Sequence, residues 1–289
     1  MFHHLLTGLI CILPITAHST NQWFEQQTSL TSAHQKLLED DLEGAFSAIV
    51  EVWQQNPSKY VANHLDQLFL KSIERDCGRS LNVEGLPDWI DEVVIRRQMI
   101  QSPGRNNSSV IIDVLGNKEI ESIELDRWGE QSVSNESSFD KLSSESSKQN
   151  VFQKRYSLNA RLASGLYLLK IKPINEEPWV TWAVMSEPQA KQIVRWQSKD
   201  NWKVEKTGLL NKHCPLPVLN ISLFDFLEGK YQKVWSQEYE SDYPSSIPLR
   251  DLDPDRYVLA VSITHRRWQG AVSIEDQQVI SKTYDISVD

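Results

Sequence analysis

The residues that could do catalytic or metal chemistry are few in this 289-residue chain. After residue 19 the histidines are His34, His64, His213 and His265, and none has the spacing of a His-Glu-x-x-His zinc motif. The sequence contains no Gly-x-Ser-x-Gly turn for a serine nucleophile and no glycine-rich phosphate loop. Its carboxylates are numerous, but no spacing pairs two of them as a general acid and base. We therefore expect a protein that is not an enzyme and that has no metal or cofactor.

Two short charged motifs near the C-terminus could bind an ion. Asp251, Asp253 and Asp255 match the first ligands of a calcium loop, but Arg256 stands where that loop needs a glycine. We interpret this acidic cluster as a solvated turn. The stretch from His265 to Trp268 contains two arginines and is a basic and aromatic patch. We interpret it as a strand end with solvated arginines rather than as an anion site.

Ten tryptophans give the chain more aromatic rings than its length leads one to expect. Exposed rings can stack on sugars, whereas rings on buried strand faces fill a core. Trp179, Trp182 and Trp268 lie in predicted strands and are the candidate ligand-binding residues. Exposure of neighbouring rings would indicate a glycan-binding face, and burial would indicate a structural role.

The first 19 residues are typical of a secretory signal peptide. An apolar run from Leu5 to Ile15 is followed by Ala17 and Ser19, the small residues that fit cleavage after Ser19. The run is shorter than the ~20 apolar residues of a membrane span, and no later stretch is apolar enough to be one. We therefore expect a periplasmic or secreted protein without a membrane span. The formal net charge of −9 argues against nucleic acid as a partner.

Two cysteines, Cys77 and Cys214, remain after the predicted cleavage. An exported chain with two cysteines can form one intramolecular disulfide. Here the disulfide would join the end of the helical segment to the entry of the second β module. The alternative is a pair of buried reduced thiols that lie too far apart to bond.

Residues 20–101 have the apolar spacing of α-helices. Between Leu42 and Trp53, apolar residues recur at intervals of three and four, and Asn56-Pro57 then ends one helix and starts the next. A further helix is predicted after Pro87, with Ile90, Val93 and Val94 on its apolar face. Residues 102–109 are dense in turn formers and are predicted to link this helical module to the next domain.

From residue 110 the apolar spacing changes to the alternation of β-strands, and one pattern occurs twice. Residues 110–189 and 190–289 are each predicted to form an antiparallel β-sandwich of the immunoglobulin or fibronectin type. Each copy contains a corner tyrosine, whose ring is predicted to pack inside while its hydroxyl bonds upstream backbone. The serine-rich stretch 132–150 is predicted to be a mobile loop. The equivalent structural residues of the two copies are Trp128 and Trp235, Leu162 and Leu252, and Tyr167 and Tyr257.

The predicted fold class is therefore α+β with several domains: a signal peptide at 1–19, a helical module at 20–101, a linker at 102–109 and two tandem β-sandwiches. In this layout, with a helical segment that ends at Asp76-Cys77-Gly78 and a β half marked by Trp and Tyr, the chain resembles an uncharacterised family of exported proteins from marine gamma-proteobacteria. Some members of that family are encoded beside an envelope-stress histidine kinase and response regulator. The resemblance implies a periplasmic accessory of envelope sensing and no enzyme activity.

We expect a non-enzymatic periplasmic protein that binds a partner protein in the cell envelope. A sandwich presents loops and sheet edges for recognition, and no catalytic set is evident in the sequence. The alternative is a glycan-binding or cell-wall-binding module that uses exposed tryptophans. A third possibility is a hydrolase whose carboxylates, or whose Ser and His, come together only in the folded chain.

Overall fold

Three helices lie in the N-terminal part of the protein. The computed structural model describes residues 28–82, 84–130, 132–142, 150–248 and 254–286. The helices are α1 (Ser29–Leu38), α2 (Leu42–Gln54) and α3 (Lys59–Asp76). The predicted signal peptide, together with Leu252 of the predicted repeat and most of the acidic cluster at 251–255, lies outside the described residues.

The described residues also form thirteen strands in three sheets. The strands are β1 (Ile90–Ser102), β2 (Arg105–Gly116), β3 (Ile120–Arg127), β4 (Ser137–Leu142), β5 (Asn150–Leu158), β6 (Gly165–Pro173), β7 (Trp179–Met185), β8 (Gln192–Trp196), β9 (Trp202–Lys206), β10 (Val218–Leu227), β11 (Lys230–Tyr239), β12 (Arg256–Gln269) and β13 (Val272–Asp285). A large sheet has the order β11-β10-β12-β13-β1-β2-β5-β4, a three-stranded sheet the order β3-β6-β7, and a two-stranded sheet pairs β8 with β9. In the centre of the large sheet β1 runs parallel to β13, so strands from the two ends of the chain meet there.

The helical hairpin packs on the three-stranded sheet. The apolar faces of α2 and α3 bury Phe46 and Phe69, whose ring centres lie 6.3 Å apart. The same apolar cluster includes Leu166 of β6 and Val184 of β7. The hairpin therefore covers one side of the three-stranded sheet, and the other side of that sheet faces the large sheet.

The predicted helix after Pro87 is wrong, because residues 90–102 form strand β1. Val94 and Ile95 are both buried although they point to opposite faces, since β1 lies in the middle of the large sheet. A strand buried on both faces has no strict alternation, and a short apolar run cannot be told from a helix by spacing alone. The predicted linker 102–109 is also wrong, because Ser102 and Arg105 pair across a tight turn and β2 starts at Arg105.

The prediction of two tandem β-sandwiches is wrong as well. Strands from both predicted modules lie in one curled eight-stranded sheet. The predicted equivalent residues occupy different places: Tyr167 lies in the three-stranded sheet and Tyr257 in the large sheet, while Trp128 follows β3 and Trp235 lies within β11. Alternation shows which face of a strand is buried, but the choice of neighbouring strand depends on contacts distant in sequence.

The predicted mobile loop 132–150 contains a strand. Residues 137–142 form β4, which pairs with β5 and is exposed along its whole length. Neither face of this exposed edge strand is buried, so its sequence lacks the alternation of apolar and polar residues by which a strand is recognised. Residues 143–149 of this stretch lie outside the described residues.

The two small sheets lie on the same face of the large sheet. We call this the covered face and the opposite one the open face. The three-stranded sheet closes one core over β1, β2 and β5. The two-stranded sheet closes a second core over β10, β12 and the end of β13. Between these cores the covered face carries polar side chains, so the apolar covering is interrupted there.

Candidate functional site

A polar cleft lies between the two small sheets on the covered face. Its floor is a row across three neighbouring strands, formed by Arg97 of β1, Asp276 of β13 and His265 of β12. Residues 186–192 cross this region on the way from β7 to β8. Two cavities, of about 320 and about 470 Å³, are both lined by Arg97, His265 and Asp276. We call them the smaller and the larger cavity.

Two glutamines of the large sheet hold the small sheets in place. The side chain of Gln269 in β12 makes two hydrogen bonds to the backbone of Val184 in β7, at 2.9 and 2.8 Å. The side chain of Gln278 in β13 does the same to Val194 in β8, at 3.0 and 3.1 Å. Each amide accepts from the backbone N–H and donates to the carbonyl, as a neighbouring strand would. The walls of the cleft are therefore fixed by side chains from the large sheet.

Arg97 and His265 hold the crossing segment to the cleft floor. Arg97 makes a bidentate ion pair with Asp276, with nitrogen–oxygen distances of 2.6 and 2.8 Å, and it also donates to the carbonyl of Ser186. His265 accepts at Nε2 from the backbone N–H of Gln192 at 3.3 Å. Burial lowers the pKa of His265, and the nearby Asp276 opposes that shift. Since only a neutral imidazole can accept a hydrogen bond, burial favours the form that holds Gln192.

Arg267 adds a positive charge that the cleft does not match with an acid. Its two terminal nitrogens are buried, and neither makes a hydrogen bond within the described part of the chain. Its guanidinium carbon lies 5.3 Å from the centre of the Phe69 ring in α3. Its pKa is lowered to about 9, mainly by burial and then by Arg97, while Asp276 opposes the shift. The prediction that the arginines of this strand end are solvated is therefore wrong for Arg267.

Five further polar side-chain atoms are buried without a hydrogen bond among the described residues. The two in or near the cleft are Oδ1 of Asp66 in α3 and Oε1 of Gln192, a residue that lines the smaller cavity. Burial raises the pKa of Asp66 to about 6; a hydrogen bond with Ser164 opposes the shift, and Glu187 adds to it. Buried polar atoms without partners cost free energy unless a ligand or water satisfies them. The cleft and its surroundings are therefore a candidate ligand site.

Arg97 and Asp276 are not among the functional residues predicted from the sequence. They lie 179 residues apart and meet only because β1 pairs with β13. A local signal exists, however, because Arg97 continues the series of Val93 and Ile95, which are buried on the covered face. A charged residue at the next position of such a series indicates that the apolar covering ends there.

The tryptophans predicted to bind a ligand are packed against other groups. Trp179 packs on the first core, and Trp182 packs on the helical core. Trp268 is covered by Arg79, whose guanidinium carbon lies 3.5 Å from the ring centre. Trp128 is 40% exposed, but its ring meets that of Trp182 edge-on at 5.2 Å. These two neighbouring rings therefore do not form a flat platform for a sugar.

Four of the residues predicted to be structural equivalents contact apolar cores, whereas Trp128 is partly exposed and contacts Trp182. Tyr167 is buried in the first core, and its hydroxyl donates to the carbonyl of Ala163 at 2.7 Å. Leu162 packs on the same core. Tyr257 is buried in the second core, and Trp235 packs on it.

The disulfide between Cys77 and Cys214 is confirmed. Its two Cα atoms are 5.1 Å apart. Cys77 follows α3 directly, and its carbonyl accepts a hydrogen bond from the N–H of Trp268 at 2.9 Å. Cys214 lines the larger cavity. The bond therefore ties the loop between β9 and β10 to the end of α3, beside that cavity.

The sequence of this chain matches the model of a protein family. The model of that family matches residues 23–285, a range that includes all the described helices and strands. The chain belongs to the family described as protein of unknown function DUF2861. No curated protein matches the chain. The family match covers the helical hairpin and all three sheets, and its description assigns no activity to them.

Membrane spans and metal clusters are not found in the described part of the family fold. No helix there is both long and apolar enough to cross a membrane. No three side chains of His, Cys, Asp or Glu come together there as ligands of a metal ion. His34 and His64 do contact each other, with their Nε2 atoms 2.6 Å apart.

Strand β11 forms a free edge of the large sheet and carries exposed apolar side chains. It pairs with β10 on one side and is exposed over most of its length. At the end of the β10–β11 hairpin, Phe226 and Tyr231 pair across the strands with their ring centres 5.1 Å apart. Phe226 is 59% and Tyr231 64% exposed, and Leu227 and Val234 are exposed as well. We call these four residues the hairpin tip.

Proposed function

We propose that the protein is a non-catalytic, exported protein of the cell envelope that binds a partner protein along β11. The observation that supports this proposal is the hairpin tip at a free sheet edge. Unpaired backbone groups at a sheet edge can add a strand from another chain, and side-chain pockets then give specificity. Clustered exposed apolar residues, aromatic ones above all, are typical of protein interfaces.

The charges of β11 indicate what kind of segment would pair with it. Lys230 and Lys233 lie on the strand beside Tyr231, and neither makes an ion pair within the described residues. Complementary charge favours an incoming strand that places an acidic residue beside an apolar one. The partner segment would therefore be extended, with apolar and acidic residues that face the hairpin tip.

The opposite edge of the large sheet lacks these properties. Strand β4 also carries exposed apolar residues, but Phe139 stacks on Phe152 with ring centres 6.1 Å apart. Lys141 of β4 makes an ion pair with Glu119. Phe139 and Lys141 of β4 thus already have partners in the chain. On β11, by contrast, Lys230 and Lys233 make no ion pair within the described residues. This difference supports β11 as the docking edge and makes β4 a matched control.

The tryptophans support a protein rather than a glycan as the ligand. Trp179 and Trp182 pack on cores, and Arg79 lies over Trp268. Rings engaged in this way serve the fold, and stacking on a sugar would require them to give up those contacts. The expected role in envelope-stress sensing belongs to this proposal, because a sensing accessory acts by binding another protein.

The proposal is tested by photocrosslinking in the native envelope. A photoreactive amino acid at position 231 is expected to capture one defined protein, and the same amino acid at position 139 on β4 is expected not to. The captured protein is then purified and its affinity is measured. Phe226→Ala/Tyr231→Ala should weaken binding at least about tenfold, as expected for aromatic interface anchors, and Phe139→Ala/Leu142→Ala should change it less than about twofold. Equal crosslinking at both edges, or equal loss in both variants, would refute docking along β11.

A further inference from the structure

Two histidines from different helices meet in the helical part of the protein. His34 of α1 and His64 of α3 have their Nε2 atoms 2.6 Å apart, although 30 residues separate them in the sequence. Their ring centres lie 4.8 Å apart, and the ring planes are tilted by 34°. Each ring therefore directs its Nε2 atom toward the other ring.

Both imidazoles can be reached from solvent. His64 is exposed and His34 is half-buried. Burial, and then the neighbouring His64, lower the pKa of His34, which favours its neutral form. Neutral imidazole binds metal ions through a ring nitrogen and is the commonest metal ligand in proteins. The pair therefore offers two nitrogen ligands at a place that an ion from solution can enter.

The distance between the two nitrogens is close to that of two ligands on one ion. A zinc–nitrogen bond is about 2.0–2.1 Å long, so two ligands of a tetrahedral ion lie about 3.3 Å apart. The nitrogens would have to separate by about 0.7 Å, which small rotations of two solvent-accessible side chains can supply. In the structure the Nε2–H of one ring donates to the Nε2 of the other. When an ion binds, the donor ring carries its proton on Nδ1 instead, so that both Nε2 lone pairs face the ion.

The chemistry of this ligand pair selects a class of ion. No third side chain of His, Cys, Asp or Glu joins the pair within the described residues. Mg²⁺ prefers oxygen ligands, whereas imidazole suits Cu²⁺, Ni²⁺ and Zn²⁺. Among these ions a nitrogen site binds Cu²⁺ most tightly. The pair therefore favours a late first-row transition metal whose other coordination positions are filled by water.

We propose that His34 and His64 bind a late first-row transition-metal ion, with Cu²⁺ bound more tightly than Zn²⁺. The two Nε2 atoms coordinate the ion, which thereby cross-links α1 to α3. This cross-link adds to the apolar core of the helices and to the ion pair of Asp40 with Arg75 at 3.5 Å. The proposal departs from the expectation of a chain without a metal, because helix packing and not a sequence motif brings the ligands together. It does not depend on the β11 interface, since neither histidine lies on that edge.

The test uses the full mature chain, treated with a chelator and carrying no histidine tag, with Cu²⁺ and Zn²⁺ as the probes. Titration calorimetry at pH 7.5 is expected to show that both ions bind, Cu²⁺ at least about tenfold more tightly than Zn²⁺, and that Mg²⁺ gives no measurable heat. The electron paramagnetic resonance spectrum of bound Cu²⁺ should show coupling to two imidazole nitrogens.

Three variants identify the ligands. His64→Gln removes one imidazole but leaves an exposed amide that can still make a hydrogen bond to His34, so the fold should be retained. Zn²⁺ binding should weaken at least about tenfold in this variant and in His34→Gln. His213→Gln is the matched control, because it removes an exposed histidine from the loop between β9 and β10, and it should change the affinity less than about twofold. Circular dichroism of the chelator-treated proteins checks that each variant is folded.

Thermal unfolding tests the cross-link itself. With free Zn²⁺ about 100-fold above its Kd, the unfolding temperature of the wild type should rise by at least about 2 °C, and that of His64→Gln should not rise. The proposal is overturned if neither Cu²⁺ nor Zn²⁺ binds, if His213→Gln weakens binding as much as His64→Gln, or if Mg²⁺ binds as tightly as Zn²⁺. A Cu²⁺ spectrum without imidazole nitrogens would also overturn it. None of these results would affect the proposed docking along β11.

Discussion

The two faces of the central strands carry the same kinds of charge but balance them differently. On the open face the arginines and the acid form one network, because Glu275 pairs with Arg96 at 2.7 Å and with Arg266 at 2.5 Å. On the covered face Arg97 takes both oxygens of Asp276, and Arg267 is left without an acid. A buried charge is costly unless it is paired, so the covered face carries an unbalanced cation that lowers stability, whereas the open face does not. The residues compared are sequence neighbours: Arg96, Glu275 and Arg266 on the open face, and Arg97, Asp276 and Arg267 on the covered face.

The largest effect is expected from the bond that closes the covered face. Cys77→Ala/Cys214→Ala removes a cross-link between residues 137 positions apart, and the chain-entropy model then predicts a loss of about 5 kcal/mol in the free energy of unfolding. Urea unfolding of the variant beside the oxidised and the reduced wild type measures this loss. The reduced wild type should match the variant. A loss below about 1 kcal/mol would mean that closure of the covered face does not depend on the bond.

The next-largest effect is a difference in stability loss between a variant on the covered face and a variant on the open face. Asp276→Asn leaves Arg97 buried without an acid, beside the already unpaired Arg267, and should reduce stability by about 3 kcal/mol. Glu275→Gln should reduce it by only about 1 kcal/mol, because Arg96 keeps Asp113 at 3.2 Å and Arg266 is nearly half exposed. Both values come from urea unfolding at neutral pH. Equal losses would show that the two faces respond alike and would remove the contrast.

The helical hairpin and the disulfide could be predicted from the sequence because their signals are local or nearly free of alternatives. An apolar stripe with a proline-marked break specifies α2 and α3, and two cysteines allow one pairing. The strand character of residues after 110 was predictable for the same reason, since alternation is a property of neighbouring residues.

The sheet arrangement and the cleft could not be predicted in this way. The pairing of β1 with β13 joins residues such as Ile95 and Ile274, but the sequence of neither strand specifies the other strand as its partner. Two copies of a similar alternation therefore indicated two similar domains, although their strands share one sheet. The sequence around Arg267 predicts a solvated side chain, because the residues that cover it, which include Phe69 of α3, come from a distant part of the chain.

Removing each arginine of β12 in turn should change stability in opposite directions. Arg267→Met deletes a buried, unpaired cation, and it should leave the free energy of unfolding unchanged or raise it by up to about 1 kcal/mol. Arg266→Met takes one partner from the buried Glu275 and should lower stability by about 1 kcal/mol. Thermal and urea unfolding at neutral pH measure both. If Arg267→Met lowers stability as much as Asp276→Asn does, then Arg267 has a compensating group and the proposed imbalance is absent.

The smallest effect concerns His265, the residue of the cleft floor whose charge can change near neutral pH. Burial lowers its pKa below the ordinary 6.5, so the unfolded chain binds a proton more readily than the folded one. The stability that depends on neutral His265 is therefore complete above pH 6.5 and is lost as the pH falls below it. Protonation also ends the hydrogen bond that His265 accepts from Gln192.

His265→Gln isolates this contribution, because glutamine cannot titrate but can still accept a hydrogen bond. The difference in unfolding free energy between wild type and variant, followed from pH 7.5 to 5, should move against the wild type as the pH falls. Asp66 titrates in the same range with the opposite sign, because its pKa is raised to about 6 and stability that depends on its protonated form is lost as the pH rises. Since Asp66 is present in both proteins, its contribution cancels in the difference. A difference that stays constant with pH would show that protonation of His265 does not affect stability, and that the stability of the cleft floor depends only on the charges of Arg97 and Asp276.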